Sequence, residues 1–530
     1  MISPSTIEQV VNVKPAISMD MMNAIDLWGK MYEDRSPWLH RPDDENPALI
    51  DSLGLPQLIA SEKARTALIE FKSEITVPVE QEEVDNPDYV QPTTPEELVS
   101  NIPRTLIQEK PVSSDVRANF LNTQYEKLKK HLRRQIEYGI AKGGLVVKPY
   151  VLQDKPDDQG ISYKFEFDFV QADGFFPLAF DGGGVMTEAA FVQRKIDKDT
   201  VYSRVEHHKY ENGKVTIKNK AFKTNNANIK NHNNDNGLGK EIELSEVPEW
   251  AALEPEVIIN DVDRLMFAYF KMPEANTIDT YSTLGVSGYS RAVKLIEQAD
   301  KQYSRLLWEY EGGELAIDID RDAVRPENRP DGSTVSKLPI GQQRLFRYVD
   351  ISQTGETYNP YAPALRDASY IQGLNTILMR IEDVTGLSRG TLSDASAEAR
   401  TATELKILKQ RSYQTNAHIQ ESIQDMLDDV IYIMNVYCEI YGITEAGEYE
   451  VSYEWDDSIL VDVEAELGKR ITLMQNGIDS KLEVREWYHG ETENQAREAL
   501  AKVNEESQQA MEQNLAGQMM MGQISDRMEQ

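Results

Sequence analysis

Apolar positions in this 530-residue chain recur with two periods, and the switches between them divide it into modules. From 113 to 140, Leu121, Tyr125, Leu128, Leu132 and Ile136 fall three and four residues apart, which predicts an amphipathic helix. Its other face carries Lys127, Lys130, Arg133 and Arg134, a solvated face before it is a phosphate contact. Helices are also expected over 21–38 and 56–75, the latter aligning Leu58, Ile59, Ala64, Ala67, Leu68 and Phe71. The Pro- and Glu-rich stretch 76–98 reads as a loop. The period then becomes two. Residues 143–151 read as a strand, and in 161–170 Tyr163, Phe165, Phe167 and Phe169 alternate with Lys164, Glu166 and Asp168. After the turn at Asp181-Gly182-Gly183-Gly184, further strands are expected near 186–195, 200–209 and 214–222, and an Asn- and Gly-rich loop at 224–239.

Helical spacing returns over 285–311, with Ile296, Ala299, Tyr303, Leu306 and Tyr310. Positions 290–310 would extend roughly 30 Å. Residues 313–358 are short, β-like and rich in turns, and 364–384 are helical again, with Ile371, Leu374, Leu378 and Ile381 on one face. Two helices flanking a small β module predict an αα pair that leaves the body, forms a tip and returns. A polar interruption over 386–395 precedes the longest helical stretch, 397–441, striped by Ile419, Ile423, Met426, Val430, Met434, Tyr437 and Tyr441. Residues 449–455 alternate as a strand, 463–505 are helical and charged, and 506–530 form a Gln- and Met-rich tail. The fold class is α+β, with several domains expected from the length.

Composition narrows the function. The net charge of −33 should repel DNA on average, because affinity for DNA comes largely from Lys and Arg neutralising phosphates. An acidic solvated surface explains it equally well, as does a surface that DNA passes without sticking. Cys438 is the single cysteine, so intrachain disulfides and cysteine-built zinc sites are excluded, and a reducing cytoplasmic environment fits. No apolar run approaches a membrane span, and the N-terminus lacks the pattern of a secretory leader. Gly237-Leu238-Gly239-Lys240 lacks the spacing and hydroxyl of a phosphate loop, which argues against an ATP-driven motor. His207 and His208 are adjacent on an expected strand and face opposite ways, so they are poorly placed to share a metal. Asp318, Asp320 and Asp322 share one face of a strand. Ala323 and Arg329 stand where a calcium loop needs Gly and Glu, so an acidic edge is favoured over a cation site. Cys438 sits in an apolar helix and reads as core. No nucleophile elbow is present. No enzyme activity and no cofactor is expected.

Specific blocks then add a family. LWGKMYEDRSPWL (27–39), LIEFKSEI (68–75), EYGIAKGGLVVKPYV (137–151), DFVQADGFFPLAFD (168–181), VPEW (247–250), FAYFKMPEAN (267–276), YSRAVKLIEQADKQYSRLLWEYEGGELAID (289–318), GLSRGTLSD (386–394), TATELKILKQRSYQT (401–415) and WDDSI (455–459) stand in order along the chain. Together they resemble portal proteins of tailed bacteriophages, in particular those of Gram-positive siphophages of the Listeria type, over roughly residues 20–500. The resemblance implies a portal fold: a wing of helices and strands (1–285 and 398–462), two stem helices (286–311 and 361–386), a small α/β clip (312–360), a tunnel loop (387–397) and a helical crown (463–505), with a flexible tail after it. It implies a homo-oligomeric ring, usually a dodecamer, at one vertex of the virion head. Such a ring passes double-stranded DNA during packaging, retention and ejection. The expected partners are the terminase, which hydrolyses the ATP, a head-completion or adaptor protein, and the major capsid and scaffold proteins; no membrane is involved. The alternative is a minor capsid or scaffold-like protein without a channel. Candidate DNA-facing residues are Leu387, Ser388, Arg389, Gly390, Thr391, Arg400 and Lys406. Arg400 and Lys406 could equally pair with Glu398 and Glu404 along a helix. Arg325, Arg329, Arg344 and Arg347 are candidates for facing the connector or a neighbouring subunit, or are simply exposed.

Overall fold

The computed structural model describes residues 2–39, 50–69, 71–85, 105–153, 163–225, 238–320, 326–328, 334–336, 346–349, 358–394, 402–455, 463–475, 480–489, 496–497 and 499–500. The chain divides into two units, Met1–Trp455 and Asp456–Gln530.

The first unit is α+β. Helices α1 (Pro4–Val11), α2 (Met19–Tyr32) and α3 (Leu55–Ala67) open it. The first two begin where a serine accepts a backbone N–H: Ser3 from Thr6 and Ser18 from Met21. Strands β1 (Lys72–Thr76), β2 (Val79–Asp85) and β3 (Thr105–Pro111) lead into α4 (Val116–Lys142), the helix on which the core is built. Its stripe of Leu121, Tyr125, Leu128, Leu132 and Ile136 is buried as the spacing predicts. Arg117, at its start, is buried too. Its guanidinium donates to Asn435 Oδ1 (2.6 Å), Thr444 Oγ1 (2.6 Å) and the carbonyls of Thr444 and Glu445, joining segments that lie more than 300 residues apart.

Strands β4 (Gly144–Gln153), β5 (Tyr163–Gln171) and β12 (Ala268–Lys271) form an antiparallel sheet in the order β12-β4-β5. In β5 the alternating face places Phe165 fully in the core, where its N–H donates to Gln124 of α4 (3.1 Å). A second antiparallel sheet runs β10 (Lys240–Ile242), β9 (Lys214–Asn225), β8 (Thr200–Glu211), β7 (Met186–Asp197) and β6 (Phe175–Phe180), with β11 (Glu256–Asn260) also on β9. His207 and His208 meet different carboxylates: His207 pairs with Glu188 and His208 with Glu206. Glu206 also binds Lys148 (2.8 Å) and Arg204 (3.0 Å), and these cations hold its carboxyl well below the usual range despite burial.

Helix α5 (Val293–Gly312) leaves this body and α6 (Asp367–Thr385) returns to it. The module between them has strands β13 (Ala316–Asp320), β14 (Pro326–Asn328), β15 (Thr334–Ser336), β16 (Phe346–Val349) and β17 (Tyr358–Tyr361). The sheet order is β16-β13-β17, with β13 and β16 parallel, and β14 pairs with β15. No helix occurs here among the described residues. Helix α7 (Ala402–Ile440) then runs back through the core, burying Ile419, Ile423, Met426, Val430 and Met434, whereas Tyr441 at the end of the expected stripe is half exposed. Strand β18 (Glu450–Glu454) closes the unit. Cys438 is buried, and loss of solvent pushes its thiol up to about 11, consistent with a packing role.

Three local expectations need correction. Residues 72–75, read as the end of a helix, form β1, which pairs antiparallel with β18. Part of the expected 76–98 loop is strand β2, paired with β3. Helix α5 starts at Val293 and not 285, because 285–288 are packed against the body: a Cβ on Gly285 would lie 2.1 Å from the Gly143 carbonyl oxygen.

The second unit contains α8 (Val463–Gln475) and α9 (Lys481–His489). Ser480 and Glu483 cap α9 reciprocally, with Glu483 Oε2 accepting from the Ser480 N–H (2.6 Å) and Ser480 Oγ accepting from the Glu483 N–H (3.1 Å). The Arg470 guanidinium stacks over the Trp487 ring, 4.7 Å from its centroid. Residues 506–530 lie outside the described residues.

Candidate functional site

The site is the αα pair with the loop that follows it. The pair is rooted deeply at both ends. Before α5, the Tyr289 hydroxyl donates to the Trp28 carbonyl (2.8 Å), and the Gly288 N–H donates to the carbonyl of Ile140. Lys63, buried in α3, donates to the Gly288 carbonyl and to Glu274 Oε1, both at 3.0 Å; burial lowers the pKa of its ammonium. About two turns into α5, buried Asp300 accepts from the Trp38 indole (2.9 Å) and the Leu53 N–H (3.0 Å). Burial raises its pKa.

Away from the root, among the described residues, the two helices pack chiefly on each other. Helix α6 buries Ile381, Glu382 and Thr385, all near its end. Further out, Trp308 (66% exposed), Tyr310, Leu315, Tyr361, Leu365 and Ile371 stand exposed on the two helices and the chain beyond them. Glu309 joins the helices there. It accepts from the N–H and Nε of Arg366 on one oxygen (3.0 and 3.1 Å) and from its terminal nitrogen on the other (2.7 Å).

The loop begins at Gly386, whose φ of +74° ends α6 and whose missing Cβ leaves room for Thr415 of α7. It folds back on the helix it has just left. The backbone N–H groups of Gly390 (3.1 Å), Leu392 (2.6 Å) and Ser393 (2.8 Å) donate to one oxygen of Glu382, and the Ser393 hydroxyl donates to the other (2.8 Å). Asn375 accepts from the Asp394 N–H (2.7 Å), and the Thr391 hydroxyl donates to the Ser388 carbonyl (2.7 Å). Arg389 is exposed, with its guanidinium forked onto Asp383 (3.1 and 2.8 Å), which raises its pKa further.

The candidate residues therefore separate. Arg389 and Gly390 are exposed, Ser388 and Thr391 are half-buried, and all four belong to one folded loop. Leu387, in contrast, is buried in the core and anchors the loop from within. Lys406 is in α7 and Arg347 in β16, but their side chains lie outside the described residues, as do Arg325, Arg329, Arg344 and Arg400 altogether. Asp318 pairs in register with Arg347 across β13 and β16, while Asp322 is outside the described residues. Among the described residues no group of three or more His, Cys, Asp or Glu is placed to hold a metal ion. No described helix is long and apolar enough to cross a membrane. Glu382 was not singled out from the sequence. Its signal was an acid at the apolar spacing of Leu378, Ile381 and Thr385, just ahead of a Gly- and Ser-containing loop.

One comparison decides the family. Residues 96–513 match the family model described as phage portal protein, SPP1 Gp6-like, a span that covers the helix pair, the module between them, the loop and α7. The chain belongs to this portal family. It is a phage portal subunit, and so a component of the virion at the junction of head and tail, where DNA is packaged. A comparison with curated proteins finds no match.

Proposed function

We propose that about twelve copies of this portal protein assemble as a closed ring, with α5 and α6 as the stem that lines a channel for double-stranded DNA. The observation that carries this reading is the exposed apolar surface of the pair. Trp308, Tyr310 and Ile371 lie on helices firmly rooted in the body, with Leu365 just ahead of α6, a pattern that suits contact with neighbours. Adjacent copies offer the same surface, and head-to-tail repetition closes a ring when the rotation closes.

In this reading residues 312–360 form the clip, 387–397 the tunnel loop, 463–505 the crown, and 1–285 with 398–462 the wing. The ring is passive: it performs no catalysis, and the terminase supplies ATP hydrolysis. The adaptor, major capsid and scaffold proteins are its further partners. The ordered blocks of sequence likeness favour the Listeria-type group within the family. The excess of acid, −33 per chain, suits a conduit that must let phosphate slide. Light scattering and negative-stain microscopy of the full-length chain test the proposal. Rings of about twelve or thirteen subunits are expected, and the count in virions fixes the physiological number. A monomer or small oligomer under assembly conditions would overturn it.

A further inference from the structure

We infer that Glu382 is the positioning residue of the tunnel loop: one buried carboxylate that holds residues 387–394 in a single conformation so that they present a fixed surface to DNA. The DNA-facing part of this inference rests on the reading of 387–397 as the tunnel loop.

Glu382 is fully buried near the end of α6 and receives four hydrogen bonds from a segment eight to eleven residues downstream. Three come from successive or near-successive backbone N–H groups, which have no strand or helix partner to turn to. A carboxylate that gathers such groups makes strong, charge-assisted bonds. Without it, the Leu392 and Ser393 amides would have to find water or remain unpaired, and Gly390 would keep only its longer bond to Ser393 Oγ (3.3 Å). A buried acid is costly unless its oxygens are fully engaged, so this placement makes the carboxylate and the loop conformation depend on each other. Other loop contacts include Arg389 to Asp383 on the surface, Asn375 to the Asp394 N–H, Thr391 to the Ser388 carbonyl, the Gly390 N–H to Ser393 Oγ, and the packing of Leu387. Gly386 contributes the turn that brings the chain back over Glu382. The bonds formed inside one chain are available before any ring forms, so the loop would enter the assembly already shaped.

The test compares Glu382→Leu and Glu382→Gln in the full-length protein. Leucine fills much of the space and accepts nothing. Glutamine keeps one carbonyl oxygen for the three amides, and the Ser393 hydroxyl can turn to accept from its NH2 group. In hydrogen–deuterium exchange on assembled rings, Glu382→Leu should speed exchange of the Gly390, Leu392 and Ser393 amides about tenfold or more, with Glu382→Gln in between. Exchange in α4 and the sheets should stay unchanged. Heads assembled with Glu382→Leu should then lose packaged DNA while their rings remain intact, and Glu382→Gln should restore much of the retention. Unchanged loop exchange in both variants would overturn the clamp. Faster loop exchange with normal, DNA-filled heads would leave the clamp standing and overturn the loop's role toward DNA. If Glu382→Leu fails to fold, Glu382→Gln and Ser393→Ala, which removes the hydroxyl's bond to Glu382 and the one it accepts from the Gly390 N–H (3.3 Å), provide the same exchange measurement.

Discussion

Helices α4 and α6 carry similar stripes of apolar side chains but use them differently. In α4, Leu121, Tyr125, Leu128, Leu132 and Ile136 are all in the core, packed between α3, the β12-β4-β5 sheet and α7. In α6, Ile371 is exposed, Leu374 and Leu378 are half-buried, and only Ile381 is fully covered. A stripe buried within its own chain stabilises the subunit. A stripe left open on a well-rooted helix is available to whatever the subunit joins. The same contrast holds for charge. The body buries Lys148, Arg204 and His208 around Glu206, whereas the loop leaves Arg389 and Asp383 near the surface.

The largest effect expected from this contrast lies in the core. Leu128→Ala should destabilise the folded subunit by about 3 kcal/mol, the usual cost of a buried leucine and the cavity it leaves. Its thermal midpoint should fall whether or not rings are present. A near-normal midpoint would mean that α4 does not organise the core.

The body's charge cluster should show itself in the pH dependence of stability. Burial lowers the His208 pKa, although Glu206 pulls the other way. A histidine held neutral in the fold binds a proton more readily once unfolded. This contribution is therefore complete above the unfolded value of about 6.5 and is lost as pH falls through the lower folded value. The midpoint of unfolding should drop on acidification from neutrality, and His208→Gln should flatten that decline. An identical decline in the variant would assign the effect to other groups.

The helix pair should behave in the opposite way to α4. Changing exposed Trp308 and Ile371 together to Ser should move subunit stability by roughly 0.5 kcal/mol per site or less, yet abolish or weaken ring formation measured by light scattering. Rings of normal stability from this variant would show that the exposed stripe is not a subunit contact.

The same contrast explains what could be read from the sequence. Local periodicity located α4, β5 and the order of helix, β module and helix, because each is specified by neighbours three, four or two positions away. It failed at 72–75, where Ser73 and Ile75 lie across from Tyr453 and Val451, nearly 380 residues later in the chain, and this pairing overrides the helical spacing. It failed again at β2 and β3, whose pairing spans the 86–104 segment. In the loop, the Gly and Ser residues marked a turn, but the partners of Glu382 are backbone amides, which every sequence contains and none advertises. Burial of Leu387 likewise depends on tertiary packing that loop composition cannot convey.

The smallest expected effect on stability, and the finest test of the contrast, concerns Arg389. Its pair with Asp383 is partly exposed, so solvent screening leaves Arg389→Ala costing about 0.5 kcal/mol or less. The more informative readout is DNA. If the pair holds in the ring, Arg389 presents little free positive charge, and Arg389→Ala should package and retain DNA nearly as well as the unaltered protein. Asp383→Asn should do the reverse. It releases Arg389, and Arg380 with it, toward the bore. Each freed cation that meets a phosphate adds about 0.9 to the slope of DNA affinity against salt, so packaging should slow at low salt and recover as salt rises. If instead Arg389→Ala alone impairs retention, the guanidinium must leave Asp383 for phosphate in the ring. The loop would then contribute a working cation as well as a fixed shape.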